Sequence, residues 1–467
     1  MTAPATRPTP RPLLVPLLLC ILGSCAPALG QSTNPPGTPL RLSLSDAIQL
    51  GLENNYAIRI ATNEVAAARN NDDYALTGKY PTITLGLSPG INYRNSRNPA
   101  SVVSQSNTTS YALTPTAQLD WTIFNGGRIE LTKQRLGALA ELSSDQLRVR
   151  VENAISDIID AYYAARVAEE RTRVRRRVLA LSRDRIRYQN VRREFGQAGT
   201  FDELQTRDAY LVDSTNLVLQ QLAAANARRS LLQLLGSDEV DRPVVLLDSL
   251  TYSPATLDYA ELDARLTATN AQLRTLSVNR RLAELNTEII RSERAPTLGV
   301  TAGTAYDISV QQGTQTFDFG GGQPSREQEL PGVAARTLTA SVGLSARYLL
   351  FDGGSRRVRA QTARIDELTA ELDYRSSEQQ LRSLLANTYA RYDNQHTVVG
   401  IARRQIANAE RNLGLAEERL RGGTINSFDY RAIQLNYLNA EFQLLSTLQE
   451  LKATEVELLR LTGQVVD

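Results

Sequence analysis

The sequence predicts an α+β membrane protein in which one chain supplies four β-strands to a shared barrel and continues them with long coiled-coil helices. Three observations carry that expectation. Four segments alternate apolar and polar residues, the period of a strand with one apolar and one wet face. Two tracts, about Gly127 to Phe195 and about Gly354 to Arg421, read as helices, and either is about 100 Å long if continuous. Phe124-Asn125-Gly126-Gly127 returns 227 residues later as Phe351-Asp352-Gly353-Gly354, the mark of a tandem duplication.

Residues 1–30 read as a secretory signal. Arg7 and Arg11 precede an apolar run from Leu13 to Leu22 that is too short to span a bilayer. Two processing sites compete. Ala28-Leu29-Gly30 before Gln31 fits an ordinary cleavage site, whereas Leu22-Gly23-Ser24-Cys25 fits a lipoprotein box that would lipidate Cys25. On either reading the protein is exported, and removal of residues 1–30 leaves no thiol for a disulfide.

Composition closes off most chemistry. The 467 residues carry 52 Lys+Arg against 50 Asp+Glu, which gives no electrostatic case for nucleic acid. His396 is the one histidine, and both cysteines precede residue 26. That composition excludes His/Cys metal clusters, Cys–His nucleophiles and Ser-His-Asp triads unless His396 carries everything. No metal, cofactor or enzymatic activity is expected, and His396 reads as a coiled-coil surface residue.

The mature chain divides into a first repeat, 31–236, a linker, 237–257, and a second repeat, 258–467. Each opens with a helix, about Ser45–Tyr74 and about Leu257–Arg294. Ser45 is the N-cap candidate, with Asp46 in the first turn where the helix dipole favours it. Pro81 and Pro296 end these helices where extended chain begins. A hairpin follows in each repeat, 82–124 and 297–351. Leu85, Leu87, Leu119, Trp121, Val300, Leu344 and Tyr348 fall on the apolar, lipid-facing side, and Thr84, Gln118, Asp120 and Thr301 on the lumenal side. Each strand is expected to run about 12 residues, slightly beyond the roughly 9–11 needed to cross a bilayer at a tilt. Pro89 and Pro115 each remove a ladder hydrogen bond from the first hairpin. Asn95–Ser110 and Ser309–Arg336 read as outer loops.

The long helices come next. Leu385, Tyr392, Val399, Ile406, Leu413 and Leu420 recur every seventh residue, with Ala402, Ala409 and Ala416 in a parallel ladder, the pattern of left-handed supercoiling. The run Arg171, Arg173, Arg175, Arg176, Arg177 reads as a solvated face. Each tract ends in a glycine-containing turn, Gly196-Gln197-Ala198-Gly199-Thr200 and Gly422-Gly423-Thr424-Ile425-Asn426, before a return helix, Phe201–Leu235 or Phe428–Leu461. Four strands cannot close a barrel, because the smallest membrane barrels have about eight, and lipid forbids an open edge. Several chains must therefore share one barrel.

The order of helix, hairpin, long helix, glycine turn and helix, given twice after a signal, resembles the TolC-like outer-membrane efflux channels. Leu42-Ser43-Leu44-Ser45-Asp46-Ala47-Ile48, Glu53-Asn54-Asn55, Tyr80-Pro81, Phe124-Asn125-Gly126-Gly127-Arg128 and Phe351-Asp352-Gly353-Gly354 carry the likeness. The resemblance implies a homotrimer in the cell outer membrane, with a twelve-stranded barrel and a periplasmic helical tunnel. It implies partners: a periplasmic adaptor and an inner-membrane pump of RND or ABC type, in a tripartite efflux or type I secretion system. It also places acidic gate residues just after the turns, at Asp202 and Asp429. Those carboxylates read equally well as helix-start residues favoured by the dipole. The family's second aspartate position is Ala432 here, beside Arg431. The turns, at Gly196, Gly199, Thr200, Gly422, Gly423 and Thr424, lie farthest from the membrane, where an adaptor can reach. A periplasmic coiled-coil scaffold is the competing reading, separable by whether outer-membrane extraction needs detergent. A surface enzyme or adhesin is the other, and the sequence offers it no nucleophile–base constellation.

Overall fold

The computed structural model describes residues 39–96, 102–250, 257–319 and 324–465, so the signal segment and Cys25 lie outside the described residues. Each repeat opens with a short strand or extended stretch and then two helices rather than one. These are β1 (Leu40–Leu42), α1 (Leu44–Asn54) and α2 (Tyr56–Asn71). The N-cap is Ser43, not Ser45: its side chain accepts from Asp46 N–H, while the Asp46 carboxylate accepts from Ser43 N–H at 3.1 Å. That reciprocal box satisfies two otherwise orphaned donors, which a Ser45 cap could not. Asn55 breaks the helix in two, its Oδ1 capping the start of α2 and its Nδ2 donating to Leu234 O at 2.9 Å.

The hairpins are β2 (Thr82–Arg94) with β3 (Val103–Phe124), and β5 (Thr297–Phe317) with β6 (Arg326–Arg347). They form one antiparallel sheet in the order β2-β3-β5-β6. Strands β3, β5 and β6 are 21 or 22 residues long. Much of what reads as outer loop therefore continues the ladder, because the Thr/Gln/Ser-rich segments pair as well as the apolar ones do. Register decides the faces. Ile83, Leu119, Ala302 and Val342 form one cross-strand rank, and Trp121, Val300 and Leu344 the next on that face. Thr84, Gln118, Gly303 and Ser341 share the opposite face. Pairing of β3 with β5 lapses at Thr114 and Pro115, where proline offers no N–H. There Thr114 Oγ1 donates to the Asp307 carboxylate at 3.0 Å instead.

Strand passes to helix through paired left-handed glycines. Gly126 and Gly127 have φ of 71° and 84°, and Gly353 and Gly354 have 69° and 86°, a region side chains resist. The long helices α3 (Arg128–Glu194) and α7 (Ser355–Arg421) follow, each of 67 residues. They turn into α4 (Thr200–Leu234) and α8 (Ser427–Leu461). The stretch read as linker holds β4 (Val244–Leu246), parallel to β1, and leads to α5 (Tyr259–Thr269) and α6 (Ala271–Ser292).

The two repeats solve the same joint in the same way. Asn270 caps α6 and donates from Nδ2 to Leu461 O at 3.0 Å, as Asn55 does to Leu234. Tyr162 OH donates to Leu42 O and Tyr389 OH to Leu257 O, both at 3.0 Å, each pinning the stretch that enters the opening helices. Burial pushes the Tyr162 hydroxyl up to about 12, so it stays a donor. The end of each return helix thus abuts the start of α2 or α6, and the long helix spans both partners. Near the sheet the lateral order is α2-α3-α6-α7; beyond the joints it is α4-α3-α8-α7. Of the two heptad ladders, Leu385, Tyr392, Val399, Ala402, Ala416 and Leu420 are buried in α7, and Ile406, Ala409 and Leu413 are half-buried. The arginine run is solvated only in part, three of its five members being exposed and two half-buried. Arg171 and Arg175 are half-buried and flank the Phe442 ring of α8 at 5.4 and 5.0 Å; Arg173, Arg176 and Arg177 are exposed, Arg177 also donating to Tyr437 OH at 2.6 Å. Long guanidinium stems can pack on an aromatic face while their heads keep polar contacts, so charge alone misplaces them.

Candidate functional site

At the end farthest from the sheet, each hairpin of helices reverses through a single left-handed glycine. Gly196 has φ 69° and Gly423 φ 70°. Gly196 N–H donates to Arg193 O and Gln197 N–H to Arg192 O, and Gly423 and Thr424 repeat this to Leu420 and Arg419, which satisfies the last helical carbonyls. Thr424 Oγ1 adds a bond to Arg419 O at 3.1 Å.

The two predicted gate carboxylates differ in their commitments. Asp202 Oδ2 accepts from Gly199 N–H at 3.4 Å, a capping role at the start of α4. At the second tip Asn426 Oδ1 caps α8 by accepting from Asp429 N–H at 2.8 Å. The Asp429 carboxylate is exposed and, among the described residues, takes part in no hydrogen bond or ion pair. Around these turns three phenylalanines face solvent: Phe195 and Phe201 at 75 % exposure and Phe428 at 65 %. Phe201 and Phe428 are repeat mates, at the first turn of each return helix. The structure therefore gathers Gly196, Gly199, Thr200 and Asp202 at one tip, and Gly422, Gly423, Thr424 and Asp429 at the other.

Just inside the tips lies a buried polar layer that the sequence reading missed. Arg431 of α8 grips Asp213 of α4 with both terminal nitrogens, at 2.6 and 2.7 Å, and the Asp213 side chain is 4 % exposed. Ser182 of α3 donates to Asp213 Oδ2 at 2.5 Å. Gln434 Nε2 donates to Ser182 Oγ and Val178 O, and its Oε1 accepts from Arg431. Arg185, one turn beyond Ser182, is 4 % exposed, yet its Nε and Nη1 have no hydrogen-bond partner. Burial, with Arg431 beside it, pulls its guanidinium down to about 10. The signal was available: Val174, Val178, Ser182, Arg185 and Gln189 continue one buried stripe at spacings of three and four, so the last three are polar residues in apolar positions.

Laterally the sheet and the helices are open at both edges. β2 and β6 are edge strands, with one free row of backbone groups each. Helix α4 packs chiefly on α3 and exposes Leu204, Leu211 and Val218 at seven-residue spacing. On the opposite edge Ile401, Asn408 and Leu415 of α7 line a groove of about 830 Å³ with α8.

The sequence as a whole matches the outer membrane efflux protein family over residues 47–237 and 264–464. The chain belongs to that family. Protein CyaE of Bordetella pertussis is 24 % identical over 356 residues, covering 74 % of this chain and 68 % of that one. The Campylobacter jejuni CmeC outer membrane channel superposes with a TM-score of 0.74 at 14 % identity, over 90 % of this chain and 85 % of its own. The Neisseria gonorrhoeae MtrE outer membrane channel, crystallised in its open state, gives 0.67 at 18 % identity, over 91 % and 89 %. The outer-membrane channel OprN gives 0.71 at 21 %, over 90 % of each chain. These likenesses carry the fold. Family membership makes this an outer-membrane protein with a periplasmic helical domain, among relatives that are channels rather than enzymes.

Proposed function

We propose that three copies of this chain close into a twelve-stranded barrel continued by a helical tunnel, the exit duct of a tripartite efflux or type I secretion system. The observation that carries this is the doubly open sheet: β2 and β6 both lack a partner, while the sheet's outer face presents Leu85 at 79 % and Leu344 at 85 % exposure. An open edge is untenable in lipid, so β6 of one copy pairs with β2 of the next. The helices support the same closure. Leu204, Leu211 and Val218 lie about one, three and five turns from the tip on α4, and Leu415, Asn408 and Ile401 lie at matching heights on α7. The two helices run in opposite directions, so those stripes meet in register across a subunit boundary. Asn408 in the middle would fix that register, since a buried amide in an apolar seam disfavours slipped pairings.

The free Asp429 carboxylates then form a three-fold ring at the periplasmic mouth, with the capping Asp202 set just behind. The glycine turns and the exposed Phe195, Phe201 and Phe428 supply an apolar rim for a periplasmic adaptor, which couples the duct to an inner-membrane pump. The test is conductance. Purified protein should run as a trimer in detergent and open ion channels in planar bilayers. A water-soluble monomer without conductance refutes the reading.

A further inference from the structure

The buried layer inside the tips holds one carboxylate and two guanidiniums. Asp213 is fully engaged by Arg431 and Ser182, while Arg185 lies close enough for both Asp213 and Arg431 to act on its charge but donates no bond from Nε or Nη1. An unpaired buried guanidinium is costly, and a merely structural layer would have lost it. The duplication sharpens the point. The repeat mates of Ser182, Gln189 and Asp213 are Ala409, Ala416 and Ala440, so the same positions pack with small apolar residues in the second hairpin. The chemistry is confined to where α3 and α4 of the first repeat meet α8 of the second.

Resting on the duct reading above, we propose that Arg185 is the second partner of Asp213, taken up when the two helical hairpins separate. Arg431 belongs to the second hairpin, whereas Asp213 and Arg185 both belong to the first. Moving α8 away from α3 and α4 withdraws Arg431 and would leave the Asp213 carboxylate buried and unpaired. Arg185, one turn along α3 from the Ser182 that bonds Asp213, has Nε and Nη1 free of hydrogen bonds. A side-chain rotation transfers Asp213 from one guanidinium to the other, while Arg431 leaves toward water. Each end state then holds one buried pair, and the hairpins can part without stranding a buried carboxylate. The excess charge while the hairpins are in contact is the cost of that device, because Arg185 waits there unpaired.

The swap predicts opposite signs for the two arginines. With nitroxide labels on exposed Arg207 of α4 and Leu435 of α8, the fraction of separated hairpins can be read in reconstituted full-length protein, alongside conductance. Arg431→Met should raise the separated fraction and Arg185→Met should lower it, each on the order of tenfold. In an Arg431→Met background Arg185 can hold Asp213 in both states, so Arg185→Met should no longer change the separated fraction. Arg185→Lys, which keeps the charge, should recover part of the separation and covers the case in which the methionine variant misassembles. The proposal is overturned if Arg185→Met separates as often as the native chain, or if the two substitutions add independently. Absence of conductance in the native protein would sink the duct reading alone, since the label distances report the swap without it.

Discussion

Placing an arginine at Val342 tests the register of the sheet and the membrane reading together. Val342 ranks with Ile83, Leu119 and Ala302 on the apolar face and is 81 % exposed on the protomer. On the same face of its strand line, Arg336 marks the outer polar limit, and Tyr348, twelve positions later, lies at the periplasmic end. Twelve residues at about 3.3 Å, tilted about 40°, rise roughly 30 Å, close to the hydrocarbon thickness. Val342 is midway, where a lipid-facing arginine costs about 2–4 kcal/mol. Three copies make that about 6–12 kcal/mol per trimer, enough to abolish assembly. Ser341, the preceding residue, lies on the opposite face and ranks with Gln118 and Thr84. Ser341→Arg should therefore assemble as the native chain does. The assay is the yield of heat-modifiable trimer from outer membranes, followed by the urea midpoint of reconstituted protein. If the two variants lose trimer equally, or Val342→Arg assembles normally, the facing of the sheet is wrong.

Other substitutions probe the joints, the mouth and the seam. Asn270→Ala removes an N-cap and the bond to Leu461 O, and should lower stability by about 2 kcal/mol, read as a lower thermal midpoint; no shift would mean the joint is held by packing alone. Asp429→Ala should raise single-channel conductance or weaken cation block, whereas Asp202→Ala should chiefly loosen the start of α4; equal effects on conductance would contradict the difference in their bonding. Gly423→Trp places a bulky side chain where φ is 70°, in open space, so trimers should form but fail to bind adaptor or export; normal export would move docking elsewhere. Leu211→Asp should weaken the trimer with little effect on the fold of the protomer, because Leu211 is 55 % exposed on the single chain, on the face proposed for the subunit seam; an unchanged oligomer would remove α4 from the interface.

Much of the fold was legible because it rests on local, periodic physics. A two-residue alternation builds a strand with two different faces, and the seven-residue recurrence from Leu385 to Leu420 builds a helix with one apolar stripe, so element order and the apolar side of each element follow from the chain itself. The glycine pairs at Gly126 and Gly353 and the turns at Gly196 and Gly423 were equally readable, because left-handed backbone excludes most other residues. The open edges followed from counting strands. What the sequence could not give was decided between distant segments. Asn55 reads as one more polar residue until Leu234 O lies beneath it. The cap moved from Ser45 to Ser43 because Asp46 reaches back three residues, not one. Loops that look polar became 21- and 22-residue strands because a neighbouring strand was present to pair with them. Arg171 and Arg175 left the solvent for Phe442, and Arg431 found Asp213, because charge chooses its partner by three-dimensional proximity, which carries no sequence period. Pattern along the chain determines which elements form and which side of each is apolar; only packing decides that buried Asp213 of the first repeat faces Arg431 of the second.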